Sequence, residues 1–415
     1  MILKPNLVRL LWACVFFLWP IIPIFGQAPD NKAIQDTEKN RGHLLAEINA
    51  AQNIFSQDSK NADKAFRLAL LCYQAGEFER SEALLPPLLE TTKPSNDVLF
   101  LAADLDYLFG RYDKAENTLQ KVIGLNPEDQ QVKVKAQTKL VFVYYQTNQY
   151  AKSADLFAGL EGKIKLPHWD LMRAFGQERP YQVVWPEGLE EAKAPFVVTD
   201  PLPIISVELQ GRPIYALIDT GADTFVLDNE IAAGLGIKPI ASMMGTFAGG
   251  KQAEVGFSRA DSLKIGEVTI KSVPISILPT GRFSKGFAEG KYTIGGIVGT
   301  GILKQFLATI DYLNGRLVLH RSGVLLGKLA AEMKWKTATD MPFVLAMTHF
   351  MMVRQGCLDD KKGLLFFTDS GLASEAAFSA PIQTLKYAGI PIPETKVQEG
   401  AVGGAGADLP PVNFP

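Results

Sequence analysis

The sequence Ala-Leu-Ile-Asp-Thr-Gly-Ala-Asp-Thr occupies residues 216–224. Apolar residues lead up to Asp219, and a small hydroxyl residue and a glycine follow it. Upstream, the apolar alternation predicts two strands, Ile204–Leu209 and Ile214–Ile218, joined by a turn at 210–213. The segment therefore predicts an acid that is presented at the end of a β-strand and followed by a tight turn.

The residues after this acid continue an all-β pattern. A glycine-rich stretch with Gly249 and Gly250 near its centre lies between strand-like runs, and Ile297-Val298-Gly299 places two hydrophobic residues before a glycine. The segments that carry this pattern are 246–251, 255–263, 268–278, 297–299, 301–306, 308–312 and 315–319.

In combination, these segments resemble the retropepsin-like aspartic peptidase family over about residues 196–322, a full lobe. The resemblance implies that Asp219 is catalytic and that a hairpin flap covers the cleft. It further implies three residues that support the acid and two at the flap tip: Thr220, Gly221 and Ala222, and Gly249 and Gly250.

Peptide hydrolysis without a metal or a covalent nucleophile needs a second carboxylate, because two acids must hold the water and share one proton. Residues 364–371, Leu-Leu-Phe-Phe-Thr-Asp-Ser-Gly, repeat the first pattern and offer Asp369, with Ser370 and Gly371 as its supports. This tandem resembles the two-lobed, pepsin-like arrangement. We expect Thr220 to hydrogen-bond across the base of the site and to lock the two loops together.

The second lobe is predicted to be incomplete. Flap-like glycines recur at 403–404, but residues 405–415 contain no counterpart of Ile297-Val298-Gly299 and no closing strands. Either the chain is truncated or divergent, or the missing strands come from elsewhere, and unpaired β edges would result. Two arrangements stay open: Asp219 pairs with Asp369 in one chain, or it pairs with Asp219 of a second copy in a homodimer.

The N-terminal half contains an internal repeat. The motif at 76–78, Gly-Glu-Phe, recurs at 110–112 after 34 residues and, as Asn-Gln-Tyr, at 148–150 after 38 more. With helical apolar spacing between the motifs, residues 43–162 resemble tetratricopeptide (TPR) repeats, in which stacked helix pairs share a core. The resemblance implies a concave surface that binds a peptide or protein partner. A structural spacer or dimerisation arm stays open as the alternative.

The N-terminus has the pattern of a secretory signal. Lys4 and Arg9 precede the apolar run 10–25, and the small residue Gly26 comes before polar sequence. We expect cleavage near Gly26 and export to the periplasm or outside the cell. A retained N-terminal membrane anchor is the alternative.

The predicted fold class is multidomain, with all-α TPR-like helical repeats followed by an all-β acid-protease-like fold. The predicted boundaries are a signal peptide at 1–26, a linker at 27–42, helical repeats at 43–162, a proline-rich linker at 163–195, lobe one at 196–322 and an incomplete lobe two at 323–415.

Composition narrows the set of partners. The net charge of −2 without long charged runs gives no case for nucleic acid, or for a membrane beyond the signal segment. The four histidines lack metal-ligand spacing, so we expect no metal and no cofactor. Cys72 and Cys357 are expected to be unpaired thiols.

Together, these features predict an exported aspartic endopeptidase that acts on polypeptide substrates, with repeats that bind a partner or the substrate. The alternative is a non-catalytic, peptide-binding or protein-binding scaffold with a degenerate protease lobe. A glycosidase with two carboxylates has no motif in the sequence beyond acids of the right type.

Overall fold

The structure, a computed structural model, consists of a helical part followed by a β part. The residues that it describes are 13–15, 31–160, 169–246, 252–281, 291–321, 341–346, 350–358, 361–371, 378–379, 385, 389–391, 396–397, 402–404, 407–409 and 412–413. The helices are α1 (Asn31–Gln57), α2 (Ala62–Gln74), α3 (Phe78–Ala83), α4 (Pro86–Leu89), α5 (Asn96–Leu108), α6 (Tyr112–Leu125), α7 (Gln130–Gln146), α8 (Tyr150–Ala158), α9 (Trp169–Ala174), α10 (Asn229–Gly234) and α11 (Thr300–Leu303).

The strands belong mainly to the C-terminal half. They are β1 (Ala13–Val15), β2 (Gln182–Val184), β3 (Glu191–Val198), β4 (Ile204–Leu209), β5 (Arg212–Ile218), β6 (Phe225–Asp228), β7 (Ala241–Thr246), β8 (Gln252–Ile265), β9 (Val268–Leu278), β10 (Ile294–Val298), β11 (Leu307–Asp311), β12 (Arg316–His320), β13 (Phe343–Ala346), β14 (Phe350–Leu358), β15 (Lys361–Thr368), β16 (Phe378–Ser379), β17 (Lys396–Val397), β18 (Val402–Gly404), β19 (Ala407–Leu409) and β20 (Val412–Asn413). No helix in the described part of the chain is long and apolar enough to cross a lipid bilayer.

The repeated motif marks the turn inside each of three helix pairs. Gly76, Gly110 and Asn148 all have positive φ, at 82°, 73° and 58°. This left-handed conformation suits glycine best, and asparagine is among the side chains that tolerate it. The turns therefore link α2 to α3, α5 to α6, and α7 to α8 in the same way.

Equivalent side chains also pack alike in the three pairs. An aromatic ring on each side of the turn contacts the other, at centroid distances of 5.7, 5.7 and 5.2 Å for Tyr73–Phe78, Tyr107–Tyr112 and Tyr145–Tyr150. Small buried residues, Ser81, Ala115 and Ser153, allow the two helices of each pair to approach closely. The sequence repeat thus corresponds to a stack of similar helix pairs.

The first β-sheet places the strand that ends at Asp219 in its interior. The strand order is β11-β12-β3-β4-β5-β10-β6-β9-β8-β7, and β2 pairs with β9. Strand β5 runs antiparallel to β4 and parallel to β10. Its last residues, Ala216, Leu217 and Ile218, are buried because neighbouring strands cover them on both sides.

The second sheet is smaller, with the order β13-β14-β15-β1-β16, and β15 ends immediately before Asp369. In this sheet β1, from the N-terminal apolar run, pairs with β15. It takes the position that β10 has beside β5 in the first sheet. The pairing of β1 is antiparallel, whereas that of β10 is parallel. The flap-like glycines at 403–404 fall in β18, which pairs with β19 in a separate two-stranded sheet.

The helical part shares hydrophobic cores with both β lobes. Tyr150 and Phe157 of the third helix pair are buried together with Val226 and Phe257 of the first lobe. Other helices contribute to a core with the second lobe, in which Leu101 and Leu105 of α5, among others, are buried with Val344 and Leu365. The repeats therefore connect the two lobes on their apolar faces.

Both predicted linkers contain regular structure, so these boundaries are corrected. Helix α1 begins at Asn31, inside the predicted linker 27–42. The predicted linker 163–195 contains α9 and β2, and β3 starts at Glu191, so lobe one begins before residue 196. The proline count concealed an alternating strand pattern, since Ala192 and Ala194 of β3 are buried against the sheet.

Candidate active site

The loop that carries Asp219 is held by backbone hydrogen bonds within its own lobe. The Asp219 backbone N–H donates to the Val298 carbonyl at 3.0 Å, and the Thr300 N–H donates to the Ala222 carbonyl at 2.9 Å. A Cβ on Gly299 would come within 2.6 Å of the Ala222 carbonyl oxygen. The two-hydrophobics-then-glycine segment therefore has to end in glycine, because its backbone passes directly beside the acid loop.

The two acid loops meet through a reciprocal pair of hydroxyl groups. The Thr220 hydroxyl donates to the Thr368 carbonyl at 2.9 Å and accepts from the Ser370 N–H at 3.0 Å. The Ser370 hydroxyl donates to the Ile218 carbonyl at 3.1 Å and accepts from the Thr220 N–H at 3.0 Å. All four residues are buried, so each of these polar groups has its partner in the opposite loop.

This arrangement brings the two predicted acids together. The Gly221 N–H donates to Asp219 Oδ1 at 2.7 Å, and the Gly371 N–H donates to Asp369 Oδ1 at 2.9 Å. Burial raises the pKa of Asp219 well above its ordinary value. The neighbouring Asp369 carboxyl raises this pKa further, by charge repulsion and by a hydrogen bond between the two side chains, while the N–H groups of Gly221 and Gly371 act in the opposite direction.

The glycine after each acid allows the opposite carboxyl to approach. A Cβ on Gly221 would lie 2.8 Å from the Asp369 carboxyl carbon, and a Cβ on Gly371 would overlap the Asp219 carboxyl group. Side chains at these positions would push the acids apart. Ala222 has a different part in the site, since its carbonyl also accepts from the Thr300 hydroxyl at 3.0 Å and fixes the loop to α11.

The two acids can share one proton and hold one water. Close carboxyl groups cannot both ionise, so the pair loses its protons in two separate steps. In the described part of the chain, no group of three histidine, cysteine, aspartate or glutamate side chains is arranged to hold a metal ion. The site therefore offers acid and base groups of the kind used to activate water.

The predicted flap residues Gly249 and Gly250 lie outside the described residues. Strands β7 and β8 lead towards them and pair as far as Thr246 and Gln252. The described hairpin thus ends on either side of the predicted flap.

Two features of the site were not anticipated from sequence. Thr300 holds the Asp219 loop, and its position directly after Gly299 is the signal that could have identified it. Lys304 donates from Nζ to the backbone and side-chain oxygens of Gln146 in the third helix pair, at 2.9 and 3.2 Å. No local pattern predicts this second contact, because 158 residues separate its partners.

Comparison with known proteins agrees with this description of lobe one. A family model described as "Aspartyl protease" matches residues 205–302, which include Asp219 but not Asp369. The match supports an aspartic protease domain in this chain, with protease-like function. A search of curated proteins finds no match.

The following three are among the solved structures that show similarity to parts of the chain. A retropepsin-like aspartic protease from Rickettsia conorii is 17% identical, with 34% of this chain and 94% of that chain covered and a TM-score of 0.23. MamA is 18% identical, with 32% and 72% covered and a TM-score of 0.26. BtubC (BKLC) from P. vanneervenii is 18% identical, with 32% and 62% covered and a TM-score of 0.22.

Proposed function

We propose that the chain is an exported aspartic endopeptidase that hydrolyses peptide bonds with Asp219 and Asp369. The observation that carries this proposal is the reciprocal Thr220–Ser370 hydrogen bonding, which holds two half-buried carboxyl groups in contact. Because this pair forms within one chain, the geometry favours a single-chain enzyme over an Asp219 homodimer.

The proposed chemistry follows from the shared proton. The ionised carboxyl takes a proton from water while the protonated one donates a hydrogen bond to the scissile carbonyl. The resulting hydroxide adds to the carbonyl carbon, and the carbonyl oxygen takes up negative charge. Transfer of a proton to the departing amine then breaks the C–N bond and releases an acid and an amine. The β7–β8 hairpin would cover the substrate through its tip.

The TPR-like repeats have two parts in this proposal. Their shared cores with both lobes hold the lobes in place, and the remaining surface binds a partner or the substrate. A scaffold without catalysis would use the same surfaces but would not require two carboxyl groups in contact.

The main experiment is cleavage of an unfolded protein by the purified full chain from acidic to neutral pH. We expect a bell-shaped rate profile, because the doubly protonated and doubly ionised pairs are both inactive. Asp219→Asn is the matched control, since it keeps the shape of the side chain. Binding of peptides without cleavage at any pH would favour the scaffold instead.

Export is tested by N-terminal sequencing of protein from the producing cell. We expect the mature chain to begin near Gln27. Such cleavage would remove β1 (Ala13–Val15) from its place beside β15, so the mature second sheet would need another strand there. An intact Met1 on cytoplasmic protein would contradict export and would be compatible with a lasting role for β1.

A further inference from the structure

A groove runs between the helical repeats and both β lobes. It consists of two adjoining cavities of about 380 and 560 Å³, which share Asn148, Arg179 and Gln305 in their linings. The larger cavity extends to residues 343–345 of β13, in the second lobe. The groove is thus built from repeats, lobe one and lobe two together.

The described residues that line the groove include cations and no acid. Arg179 and Arg321 line the smaller cavity, and Arg179 and Lys304 line the larger one, while neither lining contains aspartate or glutamate. Arg179 is exposed, and its guanidinium has no hydrogen bond or ion pair with the described residues. A negatively charged ligand would therefore meet Arg179 and Arg321. Lys304 contributes less charge, because burial lowers its pKa to about 7 and its Nζ donates to Gln146.

Asn148 adds an unused hydrogen-bond acceptor to this groove. The equivalent residues of the other two repeats, Gly76 and Gly110, are glycines with the same left-handed backbone. The asparagine side chain is 92% buried, since only 8% is exposed, and its Nδ2 donates to Gln305 Oε1 at 3.1 Å. Its Oδ1 has no partner in the described residues, and a buried acceptor without one is destabilising.

The far wall of the groove is a sheet edge. Among the described strands, β13 pairs with β14 on one side and with no strand on the other. Phe343 at its start is 49% exposed, whereas Val344 is buried. An extended polypeptide can pair with such an edge through its own N–H and C=O groups.

We propose that this groove binds an acidic, extended segment of a partner polypeptide. The acidic side chains would meet Arg179 and Arg321, and a backbone N–H would donate to Asn148 Oδ1. Inorganic phosphate and nucleic acid backbones fit less well, because neither has the alternating N–H and C=O groups that would pair with the β13 edge. The inference deepens the proposed function by naming the chemistry of the partner. It rests on that function only for the role of the repeats, which is to bind the partner.

The test measures binding of a fluorescent, glutamate-rich peptide to full-length Asp219→Asn chain, which removes cleavage. We expect the glutamine-substituted peptide to bind at least about tenfold more weakly, and salt to weaken the binding of the acidic peptide. Arg179→Glu should cause a similar loss. Asn148→Gly should also weaken binding while the fold is retained, because glycine occupies this turn in the other repeats.

Arg173→Glu is the matched control, since Arg173 is exposed on α9 and lines neither cavity. Equal binding of the two peptides, or equal effects of the Arg179 and Arg173 variants, would overturn the proposal. Tight binding of inorganic phosphate or of an oligonucleotide in competition with the peptide would also overturn it. Because the chain used cannot cleave, these outcomes are independent of whether the wild-type chain is a peptidase.

Discussion

The two acid loops have similar sequences but different supports. The Asp219 loop is fixed by its own lobe, since Val298 and Thr300 hydrogen-bond to it directly. In the described residues, the Asp369 loop is held by its own lobe through the Thr368 hydroxyl, which donates to the Met351 carbonyl at 3.2 Å. Ser370 also bonds it to Thr220 and Ile218 of the first lobe. Both loops share the bonds across the site, and in the described residues the Asp219 loop has, in addition, backbone bonds to β10 and α11 of its own lobe.

The same contrast holds for the sheets behind the loops. The first lobe buries β5 within its own large sheet and core. The second sheet buries Val344 and Leu365 against α5 and neighbouring helices. Arg354 of β14 reinforces this contact, because its guanidinium pairs with Glu79 of α3 and lies 4.8 Å from the ring centre of Phe109. The described strands of the second sheet thus pack against the helices as well as against one another.

The sharpest test of the comparison is removal of each acid separately. Asp219→Asn and Asp369→Asn should each lower kcat by about 10²–10⁴-fold, since an amide cannot take part in proton transfer. Equal losses of activity would show that the structure positions Asp369 for catalysis as well as it positions Asp219. Retained activity in Asp369→Asn, with a rate that depends on chain concentration, would instead indicate an Asp219 homodimer.

Removing the reciprocal hydroxyl hydrogen bonds between the loops should have the next largest effect, a loss of stability. Thr220→Val leaves the Ser370 N–H and the Thr368 carbonyl buried without partners, at a cost of about 1–3 kcal/mol for each group. Ser370→Ala should be similar, because it frees the Thr220 N–H and the Ile218 carbonyl. Chemical denaturation of the full chain measures the free energy of unfolding.

Thr300→Val is the control for both of these variants. It removes a hydroxyl bond to Ala222, but the Thr300 backbone N–H still satisfies that carbonyl. If Thr300→Val lowers the free energy of unfolding as much as Thr220→Val does, the hydrogen bonds between the lobes contribute no more to stability than those within a lobe.

The support from the helices predicts a smaller effect that is confined to lobe two. Arg354→Met removes the Glu79 ion pair and the contact with Phe109, worth about 1 kcal/mol together. We expect faster amide hydrogen exchange in β13 to β15 and unchanged exchange in β5. Arg316→Met, which removes the ion pair with Asp311 inside lobe one, is the control. Equal exchange changes in both lobes would contradict separate supports.

The last expected effect concerns the dependence of stability on pH. Because the pKa of Asp219 is raised in the folded chain, the folded state binds more protons than the unfolded state. The free energy of unfolding therefore falls as pH rises from about 4, the ordinary pKa of an aspartate, towards the folded value. Asp219→Asn removes this loss, so its Tm should exceed that of the wild type at neutral pH. The difference should shrink below about pH 4, and a constant difference would contradict a raised pKa.

Local patterns in the sequence identified much of this molecule. The apolar runs before Asp219 and Asp369 predicted that strands end at both acids, and the structure has β5 and β15 there. The periodic motif at 76, 110 and 148 predicted the helix pairs, because a left-handed turn constrains its residue type locally. These features depend on neighbours along the chain, so they can be read from sequence alone.

Only the tertiary structure decided how these parts meet. The Thr220–Ser370 hydrogen bond joins residues 150 apart, and the Arg354–Glu79 pair joins residues 275 apart. Such contacts depend on which surfaces dock, and the periodicity of a single segment carries no information about its distant partner. The boundary at Glu191 was missed for a related reason, since proline residues suggested a linker where burial of Ala192 and Ala194 against the sheet stabilises a strand. Sequence thus determined the acids and their local turns, while long-range packing decided that they form one site.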